Sequence, residues 1–179
     1  MNNDINNNIT SITKKNMTKC SAVRQHEIHA GHRVYGHSGK CQHLHGHSYI
    51  IHFYCEAETL DSLGMVVDFG IIKSTLCQWL EDNYDHRMLI WENDPIASQL
   101  VAIDSKVVLV PYNPTAENIA NYLLTVVAPS LLNNHNNTTT CNTGTTTNTA
   151  YSNNHSKNIT ITKVIVEETS KFRAIASYC

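Results

Sequence analysis

The chain has 179 residues, a length typical of a single domain, with 16% charged residues and a formal net charge of −2 at pH 7. This balance excludes a basic surface for nucleic acid and an acidic interaction tail. No apolar run reaches the roughly 18 residues of a membrane span, and no apolar segment near the start resembles a secretory signal, so we expect a cytoplasmic protein without a membrane or nucleic-acid partner.

The first folded elements are predicted to be two strands. Residues 1–20 are rich in Asn, Thr and Lys. They are predicted to be a disordered N-terminal segment, because they hold too little apolar surface to offset the entropy cost of ordering. Residues 24–35 alternate between apolar and polar side chains, as a half-buried strand does. Residues 45–58 alternate in the same way and predict a second strand.

Two helices are predicted next, over residues 68–84 and 113–127. Asp68 is the expected N-cap of the first helix, and a proline followed by a capping residue opens the second. The apolar residues at helical spacing are Phe69, Ile72, Leu76 and Leu80 in the first helix and Ala116, Ile119, Ala120, Leu123 and Val127 in the second. Each stripe indicates a helix face packed against a sheet.

Two further strands are predicted after a low-complexity tract. Residues 133–158 consist mostly of Asn and Thr, which predicts a disordered surface insertion. Residues 159–169 and 171–177 predict two strands joined by a short turn. The order strand, strand, helix, helix, strand, strand predicts one α+β domain over residues 21–179, with an antiparallel sheet and both helices on one face.

Six cysteines occur along the sequence, and we expect free thiols in a cytoplasmic protein. They are Cys20, Cys41, Cys55, Cys77, Cys141 and Cys179. Cys55 and Cys77 lie inside apolar runs and are predicted core residues. Cys41 alone has polar, potentially reactive neighbours.

The stretch CQHLHGHSY, residues 41–49, concentrates three histidines and a cysteine. His45 and His47 lie two residues apart on a predicted strand, so both imidazoles point to the same side and can reach one ion. His32, on the neighbouring strand, is the best third candidate. Three histidines with an open fourth position are typical of a catalytic zinc site. A chance cluster stays open at this point, because the chain has 11 histidines. The remaining histidines near these strands are expected to be exposed or locally bonded: His26, His29, His37, His43 and His52.

Six short motifs occur in the order found in one family: HAGHRV, CQHLHGHSY, GMVVDF, DHRMLI, NPTAEN and VIVEET. Through them, residues 24–132 and 159–177 resemble the 6-pyruvoyl-tetrahydropterin synthase family, which includes the 6-carboxytetrahydropterin synthases of queuosine biosynthesis. The resemblance implies the tunnelling fold, in which ββααββ subunits associate through their sheets into an oligomeric barrel. It also implies a homo-oligomer, typically a hexamer built as a dimer of trimers, with active sites at subunit interfaces.

The resemblance implies roles for particular residues of these motifs. His32, His45 and His47 match zinc ligands; Cys41, Asp85 and His86 match catalytic residues; Glu168, with Thr169 beside it, matches a pterin anchor; Thr115 and Glu117 match residues at the pterin end of the pocket. Lys40 and a nearby zinc ion would favour the thiolate form of Cys41, the form that acts as a base. The Glu168 carboxylate would accept the adjacent N–H and amino groups of a pterin.

The implied substrate is 7,8-dihydroneopterin triphosphate. The stretch from DHRMLI to NPTAEN is similar to bacterial-type members, which favours a zinc-dependent lyase that forms 6-carboxy-5,6,7,8-tetrahydropterin and releases acetaldehyde and triphosphate. One alternative is a 6-pyruvoyl-tetrahydropterin synthase, which eliminates triphosphate and keeps the three-carbon side chain. A second is a non-catalytic zinc- or pterin-binding protein on the same fold. Cys41 and the Asp85–His86 pair argue against it, because a binding protein needs neither.

Overall fold

The computed structural model of the chain describes residues 19–138 and 158–178 and is centred on a hairpin of two long strands. These are β1 (Ala22–His32) and β2 (His45–Ala57), which pair antiparallel along the whole of β1 and bring His32 opposite His45. Burial alternates along both strands, so successive side chains point to opposite faces of the sheet. The hairpin therefore sets which side chains share a face.

The hairpin is extended on both sides into one six-stranded sheet. The further strands are β3 (Met88–Trp91), β4 (Val107–Val110), β5 (Ile159–Glu167) and β6 (Arg173–Ser177). The order across the sheet is β4-β3-β1-β2-β5-β6. β5 and β6 continue the antiparallel pairing as predicted, whereas β3 pairs in parallel with β1, and β4 with β3. The α+β class is confirmed, but the sheet is mixed rather than purely antiparallel. The two parallel strands were missed because each is a four-residue apolar run, too short to show alternation.

Three helices complete the fold. They are α1 (residues 69–83), α2 (Ala97–Ile103) and α3 (residues 116–138). The predicted caps open both long helices: Asp68 Oδ1 accepts the Gly70 N–H at 2.6 Å, and Thr115 Oγ1 accepts the Asn118 N–H at 3.3 Å. α3 runs past its predicted end at residue 127, into the first residues of the Asn/Thr-rich tract.

One face of the sheet is covered by α1 and α3 and holds the core; we call it the covered face. The strand side chains of this core include Ile28, Ile51, Phe53, Val164 and Val166, and the helix side chains include Ile72, Leu76, Leu80, Ile119 and Leu123. Phe69, predicted to belong to the α1 stripe, is instead 57% exposed. The buried positions of α1 are spaced by four residues, and the same spacing leads back to the N-cap Asp68 rather than to Phe69. Side chains that point the other way, among them His29 and Ser48, form the open face.

A buried carboxylate anchors the segment that follows β3. Asp94 is 5% exposed, its Oδ2 lies 2.9 Å from Nε of Arg33, and its Oδ1 accepts the Ile96 N–H at 3.0 Å. We expect Asp94→Asn to lower the free energy of unfolding by about 2 kcal/mol, because it leaves the Arg33 charge without its partner. Urea denaturation at one protein concentration measures this. The exposed Asp82→Asn should change it by less than about 0.5 kcal/mol. Equal losses in both variants would contradict the role given to Asp94.

The two predicted core cysteines are buried. Cys55 is 0% and Cys77 1% exposed, and burial raises the pKa of Cys55 to about 12, which keeps its thiol protonated and inert. Cys20 is exposed and Cys41 half-buried, and these four cysteines of the described chain are all free thiols. Cys141, Cys179, residues 1–18 and residues 139–157 lie outside the described residues, and with them most of both segments predicted to be disordered.

The described helices are too short or too polar for a membrane span, since none combines the necessary length with sufficient apolar character.

Candidate metal centre and active site

Three histidines of the central hairpin meet on the covered face. His32, the last residue of β1, pairs with His45, the first of β2, and His47 follows two residues later on the same side. One potential ligand nitrogen of each ring lies within 4.8 Å of the corresponding nitrogens of the other two. The ring centroid of His32 lies 4.4 Å from that of His45 and 5.2 Å from that of His47, and the last two are 5.0 Å apart. The strand register thus brings together the three histidines singled out in the sequence, and they could hold a metal ion.

Two of the three imidazoles are oriented by backbone carbonyl groups. Nδ1 of His32 lies 2.6 Å from the carbonyl oxygen of Pro114, and Nδ1 of His45 lies 2.8 Å from that of His43. Because a carbonyl oxygen only accepts, each Nδ1 carries the hydrogen, and Nε2 of the neutral ring keeps its lone pair. Metal-binding histidines are typically held by such a second hydrogen bond.

Burial leaves ligand nitrogens of this cluster without a partner. His32 is 1% exposed, and Nε2 of both His32 and His47 is buried and makes no hydrogen bond within the described part of the chain. Burial lowers the pKa of both imidazoles, and the nearby His45 lowers it further, which favours the neutral form that binds metals. A buried nitrogen that makes no hydrogen bond destabilises the folded protein. A cation bound to its lone pair would offset this cost. Three imidazoles are a donor set that fits zinc.

A carboxylate and a phenol lie beside the three histidines. Glu168, the first residue after β5, places Oε1 at 3.4 Å from Nε2 of His32 and at 3.6 Å from Nε2 of His47. The ring of Tyr49 lies 5.8 Å from that of His32 and 5.5 Å from that of His47. Burial, and then the Glu168 charge, raise the pKa of Tyr49, so its hydroxyl stays protonated. Sequence reasoning gave Tyr49 no role, although its place in the alternation after His47 indicates the same face.

The other residues matched to a pterin site lie at the start of α3 and in the turn between β5 and β6. Thr115 caps α3 directly after Pro114, whose carbonyl orients one of the histidines. Glu117 is exposed on the first turn of α3. Thr169 is exposed, and its Oγ1 accepts two backbone N–H groups, both at 3.2 Å, inside the turn between β5 and β6. Their pterin-binding roles stay predictions.

Cys41 lies in the loop that joins β1 to β2, four residues before His45. It occupies the short 3₁₀ turn Lys40–Gln42 before β2, and its carbonyl accepts the Val34 N–H at 2.7 Å, which ties this turn to the end of β1. After burial and Glu168, the charge of the Cys41 thiolate is a further cause that raises the pKa of Tyr49.

Asp85 and His86, by contrast, face the open side of the sheet. His86 Nδ1 and Asp85 Oδ2 are 2.6 Å apart, and Asp85 Oδ1 accepts the His29 N–H at 2.7 Å. Partial burial opposes the Asp85 charge, but these hydrogen bonds outweigh it and lower the pKa of Asp85. The ring of His86 contacts that of His29, which bonds to Ser48 on the open face. The pair and the three histidines of one chain therefore lie on opposite faces of the sheet.

Fold and site together define an α+β protein with a mixed sheet and a three-histidine cluster that could hold a metal ion. The chain belongs to the 6-pyruvoyl tetrahydropterin synthase family, a family of enzymes, because residues 21–178 match that family. The match spans all six motifs and confirms the resemblance that they indicated.

Curated relatives of this chain carry one name. The protein of Rickettsia felis, named 6-carboxy-5,6,7,8-tetrahydropterin synthase, is 41% identical over 117 residues, which is 64% of this chain and 83% of that protein. The Rickettsia conorii protein of the same name is 39% identical over 122 residues, which is 67% of this chain and 87% of that protein. The Haemophilus influenzae protein of this name is 34% identical over 99 residues, which is 51% of this chain and 70% of that protein.

Solved structures share the fold at lower identity. An uncharacterized protein, WS1659 of Wolinella succinogenes, superposes with a TM-score of 0.69 at 19% identity, covering 91% of this chain and all of that one. The Caenorhabditis elegans 6-pyruvoyl tetrahydropterin synthase superposes with a TM-score of 0.58 at 20% identity, covering 91% of this chain and 98% of that one. These similarities confirm the subunit fold that the resemblance implied.

Proposed function

We propose that this chain is a zinc-dependent lyase that converts 7,8-dihydroneopterin triphosphate and one water into 6-carboxy-5,6,7,8-tetrahydropterin, releases acetaldehyde and triphosphate, and serves queuosine synthesis. One observation carries the proposal: three imidazoles, two of them with buried Nε2 atoms that make no hydrogen bond in the described part of the chain, converge beside Glu168. The relatives named 6-carboxy-5,6,7,8-tetrahydropterin synthase, one of them 41% identical, support this product. The substrate and the released fragments follow from the family resemblance.

Zinc would be held by His32, His45 and His47. When bound, it supplies Lewis-acid stabilisation of negative charge that develops on a substrate oxygen. The backbone carbonyls of Pro114 and His43 keep two of the rings in the tautomer that presents Nε2. The neighbouring core excludes water from the buried side of the cluster, which strengthens electrostatic interactions there.

The pterin would bind at Glu168, whose carboxylate accepts two adjacent N–H groups from the ring. Glu168 is held on the covered face between the histidines and the buried Tyr49, so its charge is directed into the site. Thr115, Thr169 and Glu117 are proposed for the same end of the substrate.

Proton transfer would use Cys41 and the Asp85–His86 pair. The Cys41 thiolate is the proposed base on the histidine side. Since His86 shares its Nδ1 hydrogen with Asp85, its Nε2 remains available to exchange a proton with substrate. The lowered pKa of Asp85 keeps that carboxylate charged, so that it accepts the Nδ1 hydrogen of His86.

These groups surround one substrate only if two subunits contribute. Within one chain, the sheet separates the Asp85–His86 pair from the three histidines. We therefore propose a homo-oligomer in which Asp85 and His86 of one subunit complete the histidine site of a neighbour. The resemblance favours a hexamer built as a dimer of trimers.

Product analysis tests the proposed reaction. The zinc-loaded protein is incubated with 7,8-dihydroneopterin triphosphate, and the products are identified by mass spectrometry. We expect 6-carboxy-5,6,7,8-tetrahydropterin and acetaldehyde. A 6-pyruvoyl product would instead establish the alternative reaction. Bound zinc without turnover would refute the proposed lyase and support a binding protein.

A further inference from the structure

The open face carries a pocket of about 480 Å³ around His86, and its wall includes a histidine that has no role in the function proposed above. That residue is His29 of β1, which pairs with Ser48 of β2. Ser48, Arg87 and Lys106 line the same pocket. Because His86 is a proposed acid–base group, a side chain that touches its ring can affect the reaction without contacting substrate.

The backbone of His29 holds the turn that carries His86. The His29 N–H donates to Asp85 Oδ1 at 2.7 Å, and the His29 carbonyl accepts the His86 N–H at 2.7 Å. His86 has a φ of 52°, and among the described residues it is the one non-glycine residue with positive φ. Such a conformation is unfavourable for a residue with a Cβ and persists only where its neighbours hold it. The position of His86 therefore depends on β1 at His29.

The side chain of His29 contacts the ring of His86 directly. The two ring centroids are 5.8 Å apart with an interplanar angle of 81°, the edge-to-face arrangement that aromatic rings favour. Nδ1 of His29 lies 3.0 Å from Oγ of Ser48, its register partner on β2. Ser48 thus orients His29, and His29 packs against His86. The His86 ring is also hydrogen-bonded to Asp85.

We propose that His29 is a positioning residue for His86, with its imidazole held by Ser48 and packed edge-to-face against the His86 ring. This inference rests on the proposed role of His86 in proton transfer. Acid–base catalysis depends strongly on placement, and a displacement of about 1 Å can cost about 100-fold in rate. In this role His29 exchanges no proton itself and binds no metal.

Kinetics of four variants in the zinc-loaded protein test the proposal. We expect His29→Ala to lower kcat about 10-fold, to change KM less than about 2-fold, and to leave the zinc content unchanged. His29→Phe keeps a ring against His86 and should restore most of the lost kcat. Ser48→Ala leaves His29 less well oriented and should lie between wild type and His29→Ala. His26→Ala is the matched control, because it removes a half-buried histidine of the same strand that pairs with Glu81 at 2.8 Å, and should leave kcat unchanged.

His86→Ala separates failure of this inference from failure of the proposed function. If His86→Ala turns over like wild type, the acid–base role of His86 is wrong and the positioning role falls with it. If His86→Ala is inactive while His29→Ala equals wild type, only the positioning role is overturned. A His29→Ala loss that His29→Phe does not restore, or one accompanied by loss of zinc or of thermal stability, also overturns it.

Discussion

Replacing His45 by alanine is expected to remove the metal site and leave the fold intact. Its ring is half-buried, and its Nδ1 bonds to the carbonyl of His43 only two residues away, so no distant group loses a partner. His32 is a poorer choice, because its ring is buried and bonds across the fold to Pro114. Loss of one of three ligands should weaken zinc binding by more than about 100-fold. Removing a residue that only hydrogen-bonds to a ligand can already weaken metal binding by about 100-fold. Metal analysis after dialysis, together with thermal unfolding, measures both effects.

His43→Ala is the matched control for this experiment. The His43 side chain is exposed, and its backbone carbonyl remains in place to orient His45. We expect this variant to keep its zinc and its turnover. A His45→Ala protein that retains zinc like the His43→Ala protein would show that the ligand assignment is wrong.

Mixed oligomers of Cys41→Ala and His86→Ala subunits are expected to regain activity that neither variant has alone. Each variant by itself should lose about 100-fold or more in kcat, as removal of an acid or base typically does. The Cys41 defect affects the base proposed for the histidine side, whereas the His86 defect lies on the open face. In the mixture, some interfaces therefore join an intact histidine side from one subunit to an intact Asp85–His86 pair from another. With equal amounts and random assembly, about a quarter of the interfaces are intact on both sides.

The mixture is prepared by co-expression with two different tags and purified through both, so that only mixed oligomers are assayed. A mixture of Cys41→Ala and His45→Ala subunits is the control, because both defects then lie on the histidine side and no interface is intact. Recovery in that control, or inactivity of mixed Cys41→Ala and His86→Ala oligomers, would contradict a site shared between subunits.

Much of the histidine cluster could be predicted from the sequence, because it depends on the spacing of residues within one strand. Side chains two residues apart on a strand share a face, so the spacing of His45 and His47 already indicates a common target. The third member, His32, required only that two strands adjacent in the sequence form a hairpin, which is the commonest arrangement. The long strands, the two long helices and their caps follow from periodicity and from residue types such as Asp68 and Thr115.

The separation of Asp85–His86 from the histidines was decided by the tertiary structure alone. It depends on the parallel pairing of the four-residue β3 with β1, and on the hydrogen bond that joins His29 to Asp85, 56 residues away in the chain. The same long-range packing places Glu168 beside Nε2 of His32 and the Pro114 carbonyl beside its Nδ1. Periodicity reports only which face of its own element a side chain occupies. The register between distant segments is set by how their apolar faces fill a common core, and no short stretch of sequence contains that information.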